Sequence, residues 1–101
     1  MKYGLTNEEY EFLKNKIVEP LQKIGCKVFI FGSRANNTFK RFSDVDLFIQ
    51  RNNIEINLVR KTIGEILELH ENSNFPYLLD IVLDQDMASS FLPNLIKVKF
   101  E

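Results

Sequence analysis

A single aspartate interrupts an otherwise apolar run, Tyr77-Leu78-Leu79-Asp80-Ile81-Val82-Leu83. The run is short, rich in branched residues and preceded by the turn cluster Asn72-Ser73-Asn74-Phe75-Pro76, so it reads as a strand. A carboxylate in the middle of a buried strand is costly unless it is paired or bound to a cation. Either Asp80 caps a neighbouring element, or the fold brings other charged groups to it. The second option constrains the chain far more, and the sequence upstream supplies candidates.

The pattern of elements leading to that strand is mixed. Thr6-Asn7-Glu8-Glu9 has a capping-box spacing, and Tyr10, Leu13, Ile17, Leu21 and Ile24 follow at helical intervals. Pro20 is expected to kink or restart this helix, and Gly25 to cap it. Lys27-Val28-Phe29-Ile30-Phe31 reads as a first strand ended by Gly32, and Asp44 to Gln50 as a second. Leu58, Val59, Ile63, Ile66 and Leu67 fit a helix over about 54–71, and Met87 to Leu92 a short helix before a last extended piece through Phe100. The order predicts one α/β (α+β) domain over 1–101, a small mixed β-sheet with helices packed on one face.

Asp44-Val45-Asp46 opens the second strand, where period-two alternation sends both carboxylates to one face. Two like charges there gain nothing structurally, whereas a divalent cation between them removes the repulsion. The plainer alternative is a solvated strand end. Gly32-Ser33 follows the first strand directly. Such a turn lets the backbone approach an anion and aims N–H groups and a hydroxyl at phosphate oxygens, although turns use this pair constantly.

Composition narrows the functional classes. A net charge of -1, with 13 basic residues scattered along the chain, gives no stripe suited to a nucleic-acid backbone. No apolar run approaches the roughly 20 residues needed to span a bilayer. No direct nucleic-acid binding and no membrane association are expected, and the expected location is cytoplasmic. The one cysteine, Cys26, reads as a reduced packing thiol, His70 as a surface or helix-end residue, and Asp84 and Asp86 as turn or N-cap residues. Phe39, Phe42 and Phe48 read as core or interface.

Gly32-Ser33, ten residues, then Asp44-x-Asp46, with Asp80 on a later strand, resembles the signature of the DNA polymerase β-like nucleotidyltransferases. Phe29-Ile30-Phe31-Gly32-Ser33-Arg34-Ala35 is similar to the minimal nucleotidyltransferases within that superfamily. The resemblance implies that Asp44, Asp46 and Asp80 are catalytic and hold two Mg²⁺ ions. It further implies that Gly32 and Ser33 bind the β- and γ-phosphates of ATP; Arg34 is either a further phosphate contact or a surface arginine bracing the loop. Where many relatives carry a second arginine and a glycine, this chain has Asn36 and Asn37; Lys40 or Arg41 could take the arginine's place.

With little sequence left for an acceptor pocket, the missing half is expected to be another molecule, a protein being the economical choice, met through apolar tail residues such as Phe91, Leu92 and Phe100. The resemblance implies a HEPN-domain ribonuclease toxin as partner in a hetero-oligomer. This chain would then be its antitoxin, transferring AMP to a tyrosine hydroxyl of the toxin. A binding-only antitoxin, and a small-molecule (antibiotic-type) nucleotidyltransferase working with a separate substrate-binding subunit, are the alternatives.

Overall fold

The computed structural model describes residues 3–36, 38–84 and 97–100, with backbone alone for 97–99. The capping box forms as spaced: the Thr6 N–H donates to Glu9 Oε1 at 2.8 Å, and the Glu9 N–H donates to Thr6 Oγ1 at 3.2 Å. Helix α1 (Asn7–Phe12) starts there, widens into a π-helical stretch over Leu13–Val18, and continues as α2 (Glu19–Lys23). Pro20 explains the widening. It has no N–H to give, and its ring would strike the carbonyl four residues back in a regular helix. The Glu19 N–H instead reaches back five residues to the Lys14 carbonyl, and Pro20 falls in the first turn of α2. Gly25, at φ +104°, then reverses the chain.

Among the described residues four strands follow: β1 (Lys27–Phe31), β2 (Val45–Gln50), β3 (Leu79–Leu83) and β4 (Lys97–Lys99). They form one sheet in the order β3-β2-β1-β4. β1 pairs antiparallel with both β2 and β4, and β2 pairs parallel with β3. A parallel neighbour requires a crossover, and helix α3 (Ile56–Glu71) supplies it. The last strand agrees with the extended tail piece expected there, whereas the expected helix at Met87–Leu92 lies outside the described residues.

Alternation divides the sheet cleanly. Val28 and Ile30 of β1 stand opposite Ile49 and Leu47 of β2, and all four are buried under the helices with Leu13, Ile17, Leu21, Val59 and Ile66. Burying such aliphatic side chains contributes about 1.5–3 kcal/mol each. The other face carries Phe29, Phe31, Asp46, Phe48, Asp80 and Val82. Cys26 is buried, as expected of a packing thiol, and burial followed by the nearby Asp84 raises its pKa. Phe100 departs from expectation. It is 1% exposed, stacked on Tyr10 at 5.5 Å and against Tyr3 at 5.7 Å, so it is core and not a docking residue. Phe91 and Leu92 lie outside the described residues.

Candidate active site

The parallel pairing of β2 with β3 brings two carboxylates together. Asp46 and Asp80 occupy facing positions, and the shared register puts both on the face away from the helices. Asp44 lies one residue before β2, which begins at Val45 and not at Asp44 as expected; β3 likewise begins at Leu79 and not at Tyr77. The sequence singles out Asp80 as the costly carboxylate, but β3 is an edge strand and Asp80 is exposed. The burden falls on Asp46. Burial first, then the negative charges of Asp80 and Asp44, push its pKa up to about 6, against a smaller opposing effect of Arg34.

Gly32 abuts this carboxylate. It begins a 3₁₀ turn, Gly32–Arg34, at φ +75°, and a Cβ built on it would lie 2.5 Å from Asp46 Oδ2. Only glycine both adopts that backbone conformation freely and leaves the space that Asp46 fills. The Ala35 N–H closes the turn on the Gly32 carbonyl at 3.1 Å, and the Thr38 N–H donates to the Ser33 carbonyl at 2.9 Å. Ser33, the middle residue of the turn, is half-buried. Gly32 and Asp46 thus abut, although 14 positions separate them in sequence.

Arg34 is placed differently from expectation. It is 1% exposed, and its guanidinium is committed to backbone carbonyls. Nε and Nη2 donate to the Ser43 carbonyl at 3.0 and 2.8 Å, and Nη1 donates to those of Tyr3 and Gly4 at 2.9 and 3.3 Å. The guanidinium carbon lies 4.2 Å from the centre of the Tyr77 ring and 5.3 Å from that of Phe39. Most of its donors are therefore used inside the protein, so of the two roles open to Arg34 the geometry favours the brace over the phosphate contact, from a buried position and not at the surface. Lys40 and Arg41 are exposed, and Arg41 stacks over Phe42 at 5.1 Å.

Other candidates are structural. His70 Nε2 lies 2.8 Å from the Tyr77 carbonyl and its ring meets Phe75 edge-on, tying the end of α3 to the segment before β3. Asp84 accepts from the Arg51 N–H at 3.2 Å just past β3. Phe48 is buried and packs on Phe29, Phe39 supports Arg34, and Phe42 is exposed. Asn37, Asp86 and the rest of 85–96 lie outside the described residues. A surface cleft of about 640 Å³ opens between the start of α1 and the turn before β3, but none of the three aspartates lines it.

The donor set suits a hard divalent cation: two in-register carboxylates, one of them crowded enough that a positive charge would relieve it. Among the described residues, however, no three His, Cys, Asp or Glu side chains are gathered closely enough to hold an ion alone. Mg²⁺ characteristically takes one or two carboxylates and completes its shell with water and substrate phosphates, so a partial protein shell fits that ion. An acidic pair on adjoining strands, with a glycine turn pressed against it, is an arrangement suited to phosphate chemistry. A family model for polymerase β nucleotidyltransferases matches residues 13–98, and the chain belongs to that family. Among solved structures, one from Sulfolobus solfataricus, assigned provisionally as a nucleotidyltransferase, is similar over 99% of this chain and 87% of that one, at 14% identity and a TM-score of 0.48. No curated protein matches the chain significantly. No helix among the described residues is long and apolar enough to cross a membrane.

Proposed function

We propose that this nucleotidyltransferase domain moves AMP from ATP to a tyrosine hydroxyl of a HEPN-type toxin and serves as the antitoxin of that toxin. The observation that carries the transfer reading is the facing pair Asp46 and Asp80 with Gly32 against Asp46. Asp44, Asp46 and Asp80 would hold two Mg²⁺ ions, which when bound supply charge neutralisation at the attacking oxygen and at the pyrophosphate. Gly32 and Ser33 orient the β- and γ-phosphates, as a tight turn with inward N–H groups can. Asp80 accepts the proton of the acceptor hydroxyl, whose oxygen bonds to the α-phosphorus as pyrophosphate leaves. The chain's own contribution is alignment and preorganised charge, the main sources of rate in phosphoryl-type transfers.

A macromolecular acceptor is favoured by the rim of this site. Phe42 and Leu78 are 70% and 71% exposed. Phe42 precedes Asp44 by two residues, and the Leu78 carbonyl accepts the Val45 N–H at 2.9 Å, so the two apolar side chains come from the segments that flank Asp44. Contiguous exposed apolar groups rimmed by polar residues are one mark of a protein contact surface. The double variant Phe42→Ser, Leu78→Ser is expected to lower kcat/KM for a protein acceptor at least tenfold while leaving the KM for ATP unchanged. Steady-state kinetics with varied acceptor checks this, and an unchanged kcat/KM would remove the rim from the acceptor contact.

The proposal is tested by incubating the protein with labelled ATP, Mg²⁺ and the product of the neighbouring gene, read by intact mass. A gain of AMP on that protein, lost with Asp44→Asn, is the expected result. A tight complex without mass change would favour the binding-only antitoxin. No complex would favour a small-molecule acceptor presented by a separate subunit.

A further inference from the structure

We infer that Arg34 is a positioning residue: its guanidinium sets the place of Asp44 relative to the Gly32–Ser33 turn. This rests on the reading of Asp44 as part of the acidic site, and goes beyond it in assigning the device that holds the site together. Asp44 is exposed, yet the peptide groups on both sides of it are fixed. On one side the Ser43 carbonyl takes two hydrogen bonds from Arg34. On the other the Val45 N–H is held by the Leu78 carbonyl. The guanidinium also packs on the ring of Tyr77, the residue before Leu78.

The same side chain closes a third connection. Its backbone ends the 3₁₀ turn that begins at Gly32, so whatever fixes the guanidinium fixes the turn. Nη1 adds the Tyr3 and Gly4 carbonyls and ties down the segment that enters α1. Ser43 is steadied again by its own hydroxyl, which accepts the Lys40 N–H at 2.7 Å. Burying a guanidinium is unfavourable unless its donors are satisfied. Four hydrogen bonds to three carbonyls and two aromatic faces offset that cost, and two of the four bonds hold the carbonyl next to Asp44. A planar fork is required for this; lysine carries the charge but cannot hold the Ser43 and Tyr3 carbonyls at fixed angles at once. A displacement of about 1 Å in a reacting constellation costs on the order of 10²-fold in rate, so such a brace acts on function through position.

The variant Arg34→Lys is read in two ways: amide hydrogen exchange without ligand, and calorimetric binding of Mn²⁺ with ATP. Exchange at Thr38, Ser43 and Val45 is expected to rise at least tenfold while β1 and α3 are unchanged, and Mn²⁺–ATP is expected to bind at least tenfold more weakly. Tyr77→Leu removes a packing platform but keeps the fork and its carbonyl bonds; it is expected to lower Tm yet retain Mn²⁺–ATP affinity within threefold. A merely structural role would make the two variants behave alike, and that result overturns the inference, as does unchanged affinity in Arg34→Lys. In the wild type, the Arg34 Nε–H should give a resolved, slowly exchanging NMR signal. A fast-exchanging Nε–H overturns the inference without any variant, so a lysine variant that failed to fold would not shield it. If the wild type binds no Mn²⁺–ATP, the nucleotidyltransfer reading of the site fails, and the exchange rates at Ser43 and Val45 alone decide the role of Arg34.

Discussion

Gly32→Ala is expected to reduce nucleotidyl transfer by at least 10²-fold and to destabilise the domain by about 2 kcal/mol, the usual scale for a side chain forced into a left-handed backbone conformation. Two separate obstacles meet at this position. The backbone is at φ +75°, where any Cβ is strained. The added methyl carbon would also lie 2.5 Å from Asp46 Oδ2. A carboxylate end can rotate away, so the collision itself is relieved cheaply in stability. The relief has a functional cost, because the oxygen that moves belongs to the acidic pair. Stability should therefore fall by the strain alone, while transfer falls by much more. Thermal unfolding and transfer assays on the same preparation check both halves. A variant that kept transfer within tenfold of the wild type would show that Asp46 does not need the orientation that Gly32 allows.

The two halves of that contact are visible in the sequence for different reasons. Gly32 stands at the end of an apolar strand, and Asp46 alternates with Val45 and Leu47, so periodicity places it on the face away from the core. That they touch depends on the antiparallel register of β1 with β2, where Phe31 stands opposite Asp46. Local pattern carries no such register. Asp80 stands out because it breaks an apolar run, yet burial is not what makes it matter: strand β3 lies at the sheet edge and Asp80 is exposed. Sequence cannot tell an edge strand from a central one when both read as apolar. Arg34 is left between two roles by the sequence for a related reason. Its neighbours Gly32 and Ser33 suggest phosphate, but its partners are carbonyls at Tyr3, Gly4 and Ser43, and carbonyls have no signature in a sequence. The same holds for Phe100, whose burial against Tyr3 and Tyr10 comes from contacts across nearly the whole chain. Pro20 announces a break in the helix, and only the three-dimensional path shows the break absorbed as a wider turn.

Asp46→Asn is expected to abolish transfer, by at least 10³-fold, and at the same time to make the metal-free protein more stable at neutral pH. The first effect follows from removing one of the two in-register carboxylates. The second follows from what holds Asp46 at a pKa of about 6: burial foremost, then the charges of Asp80 and Asp44. In the unfolded chain the same carboxyl ionises near its ordinary value of 3.8. Below pH about 4 both states carry the proton and Asp46 contributes no pH dependence. Between about 4 and about 6 the unfolded chain releases it first, so the native state binds more protons and its stability falls as pH rises. Above about 6 the loss is complete and constant. A tenfold difference in proton affinity between the two states is worth about 1.4 kcal/mol in principle. Asp46 retains solvent contact, however, and screening reduces the expected loss to about 1 kcal/mol. An asparagine fits the same space without the charge. The variant should therefore lack this pH step and unfold roughly 4–8 °C higher at pH 7, the scale of 1 kcal/mol in a domain of this size. Melting curves from pH 4 to pH 8 in chelator test the point, and a variant that melted lower than the wild type at pH 7 would contradict it. Mg²⁺ with a triphosphate should act on the wild type as the asparagine does, by neutralising the crowded carboxylate, and should raise its Tm at pH 7 far more than that of the variant. The protein is in this respect least stable where its chemistry needs it to be: the carboxylate that opposes folding is the one that a cation and a triphosphate would bring to rest.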